Sequence, residues 1–256
     1  MSYPFSRGSE LKIHRAKKHV RDLQREWIIA YKRSSHNISV KDDPDTGDSI
    51  LELSLDQSVP DKIPLIVGDA VHNLMSALDF VINDIEFFRH GKRSTFTKFP
   101  VYETREKLVA AVNGGLRDKV PSVVIDFIVD SVQPYRRGNG DCLWSLHALD
   151  IIDKHRIVIA KKEIALIRDI TCEDGGGRYF TIPVWEFSGR LPSVHICQGW
   201  RNLQLTSKGK ASFSIVFGNG MPFYGFPILP TLYKLVDFVG STVDAVRGAF
   251  LSTLRT

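Results

Sequence analysis

Five short polar side chains, Asp69, His72, Ser76, Asp79 and Asn83, recur at spacings of three and four through the apolar stretch GDAVHNLMSALDF and just beyond it. At about 100° per residue, those spacings keep all five on one side of a helix. Val67, Val71, Leu74, Leu78, Val81 and Ile85 occupy the opposite side. A helix surface in water usually carries Lys, Glu and Arg, which favour the helix, whereas Ser, Asn and Asp compete for its backbone hydrogen bonds. The stripe is therefore expected to pack against another element, with its polar groups satisfied inside the protein.

A partner for it stands in LWSLHALDIIDKHR, where His147, Asp150 and Lys154 share one face, Asp153 lies beside that face and His155 points further round. Two such helices would bring His72 and His147 close to Asp69, Asp79 and Asp150. Three chemistries would use the group. Imidazole and carboxylate ligands with an open position make a catalytic metal site, but HExxH or a comparable spacing is missing, so no metal is expected. A His held by an Asp serves as a general acid–base pair for phosphodiester cleavage or another hydrolysis, with His72, Asp79, His147 and Asp150 as the candidates. The same groups also build a hydrogen-bond network that fixes helix register. In that case Asp69, His72, Ser76, Asp79, Asn83, His147, Asp150 and Lys154 form a polar helix interface.

Other motifs add little. GKRST resembles the end of a P-loop, but the upstream glycine is missing and a helical pattern precedes it, so nucleotide binding by that motif is rejected and no cofactor is expected. Cys142, Cys172 and Cys197 lack paired metal-ligand spacing and read as reduced thiols.

Charge is more informative. The chain carries a net charge of +5, yet Lys12, Arg15, Lys17, Lys18, Arg21, Arg25, Lys32 and Arg33 face only Asp22 and Glu26 within 12–33, so this one segment exceeds the whole imbalance. Such a face recruits polyanions or serves as a solvated helix surface. Arg15, Lys18 and Arg25 are its candidate nucleic-acid contacts.

The elements that must position these residues are legible from periodicity. Ile13, Ala16, Val20, Leu23, Trp27 and Ala30 mark an N-terminal amphipathic helix, and Leu232, Val236, Val239, Val243, Val246 and Phe250 mark a C-terminal one. The two seams are expected to meet. HNISVK and SILELSL suggest a hairpin about DDPDTGD. The stripe-bearing helix should run from 60–64 to about 89, and Asp141 is a plausible N-cap for the helix of His147. RIVIAKKEIALIRDI, RYFTIPVWEF, SVHICQG and ASFSIVFG read as strands separated by turns at CEDGGG and SKGK. The expectation is an α+β fold in a single domain, 1–256, with a helical bundle over 8–155 and 229–256 and an antiparallel β insertion over 156–222. The segment MSYPFSRGSELK lacks the apolar core of a signal peptide, and no apolar run approaches the ~20 residues that span a bilayer, so a cytoplasmic protein without a membrane partner is expected.

GDAVHNLMSALDF, FPVYET, QPY and LWSLHALDIIDKHR together resemble a group of uncharacterised bacterial and phage proteins with a GDxxHNxRSALDH-like helix and a later LHxLDxxDKH. The likeness spans 64–156. The Arg-to-His spacing of that helix is in turn similar to the motif of the HEPN superfamily (higher eukaryotes and prokaryotes nucleotide-binding). Its members are helical bundles, often dimeric, and many are metal-independent ribonucleases in toxin–antitoxin and phage-defence systems. Asp69, His72, Asn73, Ser76 and Asp79 match the helix, but Met75 and Phe80 stand at the Arg and His positions. Arg15 and His19 have a spacing one residue short of that motif. The resemblance thus implies an RNA-associated protein, without efficient nuclease activity, and a homodimer as its expected assembly. The alternatives are a protein-interaction or small-ligand module with a structural polar interface, and an acid–base or metal-assisted hydrolase.

Overall fold

Long amphipathic seams make the helices of this molecule and alternating runs make its strands, in an α+β arrangement. The computed structural model describes residues 5–34, 36–54, 56–92, 97–186 and 193–254. Part of the GKRST loop therefore lies outside the described residues, as does the side chain of Cys197.

Helix α1 (Gly8–Arg33) buries Ala16, Val20, Leu23 and Trp27 from its seam. A hairpin, β1 (Asn37–Asp42) and β2 (Ser49–Ser54), leads into α2 (Lys62–His90). That helix stops where Gly91 adopts φ 67° and its N–H reaches the Phe87 carbonyl, a left-handed C-terminal cap that glycine adopts without steric penalty. Short helices α3 (Arg105–Ala111) and α4 (Ser122–Phe127) each run on into a π turn. Helix α5 (Asp141–His155), strands β3 (Ala160–Glu173), β4 (Tyr179–Glu186), β5 (Ser193–Trp200) and β6 (Gln204–Phe217), and α6 (Ile228–Ser252) complete the chain.

Helix α2 is the centre of the bundle. It runs antiparallel to α1, as the Ser9–Ala77 and His19–Asp69 contacts require, and antiparallel to α5. Helix α6 lies antiparallel on α1, through Tyr233–Gln24 and Arg247–Glu10, and against α2 through Phe88 and Phe250. All six residues of the α6 seam are buried. The α1 and α6 seams thus close one core, at roughly 1.5–3 kcal/mol per fully buried large apolar side chain.

The strands form two three-stranded antiparallel sheets, β1-β2-β5 and β4-β3-β6. Ile38, Leu51 and Leu53 of one meet Ile164, Ile167 and Ile170 of the other in a second, smaller core. The β structure is therefore wider than the expected insertion, because the 37–54 hairpin supplies two of its strands. SKGK is no turn but part of β6. There Gly209, at φ 64°, lies so close to the Arg168 carbonyl that a Cβ would sit 2.2 Å from it, and Asp169 in the facing strand also has positive φ. The α5 cap is likewise corrected: Gly140 caps the helix and Asp141 is its first residue, since a Cβ at 140 would lie 2.6 Å from the Val132 carbonyl.

Helix α2 is also long and apolar enough to cross a bilayer, contrary to the expectation that no run reaches that length, because its polar residues are small and few are charged. Yet 56% of its most apolar window is buried inside the protein.

Candidate functional site

The polar stripe of α2 divides between two environments. In its first half, Gly68 allows the α2 backbone to approach α5 so closely that a Cβ there would fall 2.0–2.5 Å from the Asp153 carboxylate. This approach lets His72 Nδ1 meet Asp150 Oδ1 at 3.0 Å. Asp150 is buried, at 3% exposure, and its second oxygen accepts from Lys154 one turn later. On the other flank, Asp69 Oδ2 lies 3.9 Å from Nδ1 of the buried His19 of α1. Burial depresses the His19 pKa, and Asp69 opposes that shift. Burial raises the Asp153 pKa, and Asp150 and Asp69 add to the effect.

In the second half, a strap over 97–102 replaces α5 on this side of α2. Asp79 Oδ1 accepts from the Phe99 N–H at 2.9 Å, and Asn83 Nδ2 donates at 2.8 Å to the Thr97 carbonyl and at 2.8 Å to that of Asp79. Ser76 lies half-buried between the two halves.

The expectation that the whole stripe faces α5 away from water therefore holds only in part. His72 does reach α5, but its side chain is 53% exposed and that of Asp69 is 64% exposed. Asp79 pairs with backbone, not with His147 or Lys154. The α5 helix begins at Asp141, near that level, and the strap takes its place.

His147 looks elsewhere. Its ring lines a cleft of about 410 Å³ between the strap and the π turn after α3, with Lys98, Phe99 and Lys119 among its walls. Its Nδ1 is buried without a hydrogen-bond partner among the described residues. Burial pushes its pKa below the ordinary 6.5, while Asp150 pulls the other way.

Thus two of the four catalytic candidates, His72 and Asp150, form a pair, while Asp79 braces the strap and His147 faces a separate cleft. Among the described residues, no three His, Cys, Asp or Glu side chains converge closely enough to hold a metal ion. What the pair can do chemically is hold a half-exposed imidazole in one orientation, its Nδ1 engaged by a buried carboxylate.

The bracing role of Asp79 is testable. Burial is the largest cause of its raised pKa, opposed by the Phe99 N–H. The folded protein thus binds the proton more tightly than the unfolded chain, so stability falls as pH climbs from the ordinary 3.8 through the raised folded value. Asp79→Asn keeps the acceptor without the charge, so its unfolding free energy should gain on the parent's across that window. At neutral pH, Asp79→Ala should lose about 1–2 kcal/mol. Denaturant midpoints within about 0.5 kcal/mol of the parent for the alanine variant would remove the strap from the account.

The basic face of α1 is outward and accessible. Arg15, Lys17, Lys18, Arg21, Arg25, Lys32 and Arg33 are all exposed. Asp22 sits among them, 2.6 Å from Lys18 Nζ and 3.4 Å from Arg25, and the Lys18 bond holds its pKa below the ordinary value. Arg15 and Arg21 have no ion pair among the described residues.

Sequence reasoning missed Glu86 and Lys119. Glu86 is 6% exposed and lies 3.6 Å from Lys119 Nζ, which also donates to Thr97 Oγ1 at 2.8 Å. Glu86 sits where the apolar run of α2 gives way to charge, so only tertiary packing distinguishes it from a surface acid. Comparison with family models, with curated proteins and with solved structures yields no match.

Proposed function

We propose that the protein binds RNA along the outward face of α1 and holds it without efficient cleavage. The observation that carries this is the run of exposed cations from Arg15 to Arg33, opposed within that stretch by Asp22 and by a half-buried Glu26 that lies 3.8 Å from Lys62. Such a surface neutralises backbone phosphates and releases their counterions. The HEPN-like kinship, with its defence setting, rests on Asp69, His72, Asn73, Ser76 and Asp79 alone. At the two departures from the motif, Met75 is 6% exposed in the core, and Phe80 packs on Gly8 of α1, where a Cβ would come within 2.4 Å of its ring. Neither position offers a cutting group to a strand.

A salt titration tests the proposal. Affinity for a short single-stranded RNA should fall steeply with added salt, and Asp22→Asn should tighten binding by freeing Lys18 and Arg25. An RNA affinity that ignores both salt and Asp22→Asn, or no binding at low salt, would leave the face a solvated helix surface.

A second reading, acid–base catalysis, is favoured only by the His72–Asp150 pair. It stays second because, of the two groups that would complete the constellation, His147 faces a separate cleft and Asp79 is engaged by the Phe99 N–H.

A further inference from the structure

At the C-terminal end of α1, a cleft of about 590 Å³ opens between α1, the residues leading into α2, and β3. Trp27 and Val59 supply apolar wall, and Arg33, Lys62 and Lys162 supply cations. Lys162 is the unusual member. It is 8% exposed, its backbone is pinned to the Gln57 carbonyl at 2.9 Å, and its ammonium has no hydrogen-bond or ion-pair partner among the described residues. Its charge acts on Asp56, but from beyond ion-pair distance. The stem is buried while the ammonium is not, so its charge opens into the cleft, available to an anion there.

A second feature converges on the same space. Helix α2 begins here, 29 residues long, with no acidic residue in its first turn and no side-chain cap. The positive end of its dipole thus lies at the cleft, although the Ile63 amide is already bonded to the Pro60 carbonyl and Pro64 has none. The acids of the lining, Glu26 and Asp61, are outnumbered by Arg33, Lys62 and Lys162, and Glu26 is 3.8 Å from Lys62.

We propose that this cleft takes a phosphate monoester carried on a nucleoside. Lys162 holds the phosphate beside the positive end of α2, Arg33 and Lys62 close over it from the rim, and the Trp27 wall receives the base or sugar. The volume is within the range of small-ligand sites, about 300–1,000 Å³, and an aromatic wall beside cations suits a nucleobase with its phosphate. The phosphate has two possible sources, a free nucleotide or the end of an RNA strand lying along α1. The second source rests on the proposed RNA-binding face, because Arg33 belongs both to that face and to the rim.

The experiment is a binding titration of the full chain with adenosine monophosphate, inorganic phosphate, and one short RNA in phosphate-ended and hydroxyl-ended forms. The phosphate-ended RNA is expected to bind about tenfold more tightly than its hydroxyl-ended twin, and adenosine monophosphate should erase that advantage. Lys162→Met should bring the two RNAs to the same affinity. If that variant does not fold, the exposed-rim double variant Arg33→Ala/Lys62→Ala should do the same. Adenosine monophosphate binding that depends on Lys162, without any preference among RNAs, would support the cleft and assign it to free nucleotides. No preference among RNAs and no Lys162-dependent binding of the nucleotide or of phosphate would overturn the inference, even if α1 still binds RNA. Loss of all RNA binding with Lys162-dependent nucleotide binding retained would instead overturn the α1 proposal and keep the cleft.

Discussion

Asp150→Ala is expected to lower the unfolding free energy by about 2–3 kcal/mol, whereas His72→Ala and Lys154→Ala should each lose less than about 1 kcal/mol. The asymmetry follows from burial. Asp150 is 3% exposed and serves both partners, while the side chains of His72 and Lys154 are 53% and 47% exposed and can return to water. Removing the carboxylate loses two charge-assisted bonds and leaves a void where α2 and α5 touch; removing one partner leaves the carboxylate the other. The Asp150→Ala/His72→Ala double variant should be non-additive, since the two side chains are in contact. Equal effects from the three single variants, read from denaturant midpoints, would show that the pair does not lock α2 against α5.

The second large effect concerns α1. Arg15→Glu, Lys18→Glu and Arg25→Glu combined should weaken RNA binding on the order of 100-fold at 0.1 M salt. Each phosphate contact on a single strand contributes a slope of about 0.7 in log affinity against log salt, so three lost contacts amount to about two decades between 1 M and 0.1 M. All three residues are exposed, so circular dichroism of the variant should match the parent. Lys18 and Arg25 already share Asp22, and their share of the loss should be smaller than that of Arg15. An unchanged affinity, with a fold intact by circular dichroism, would exclude α1 as the contact surface.

Part of this fold is legible in the amino-acid sequence and part is not, for physical reasons. The seams of α1 and α6 can be read because a helix buried on one face must repeat its apolar residues every three or four positions, and Leu23, Trp27, Val239 and Val243 do so. His72 and Asp150 can be paired because each stands on a face of its own helix. The partner of Asp79 cannot, since a backbone N–H carries no sequence signal and the strap that offers it is irregular. Gly209 imitates a turn because glycine marks both a reversal and a close backbone approach within a strand. Lys162 gives no sign at all. Its burial comes from α1 and from residues 57–62, brought over β3 by the tertiary fold.

The pairing of β2 with β5 bears on how such a chain emerges from a ribosome. Strand β2 carries Leu51 and Leu53 on the face that becomes buried, and one of its backbone edges is covered by β1 as soon as the hairpin closes. Its other side waits for Ser193–Trp200, which is made only after α2, α5 and two further strands. Through all that interval, a nascent chain presents an apolar strand with an open backbone edge, the feature by which partly made proteins find one another and aggregate. The late strand is thus the one that seals an early vulnerability, and conditions that slow translation between residues 54 and 193 should lower soluble yield before they alter the finished fold.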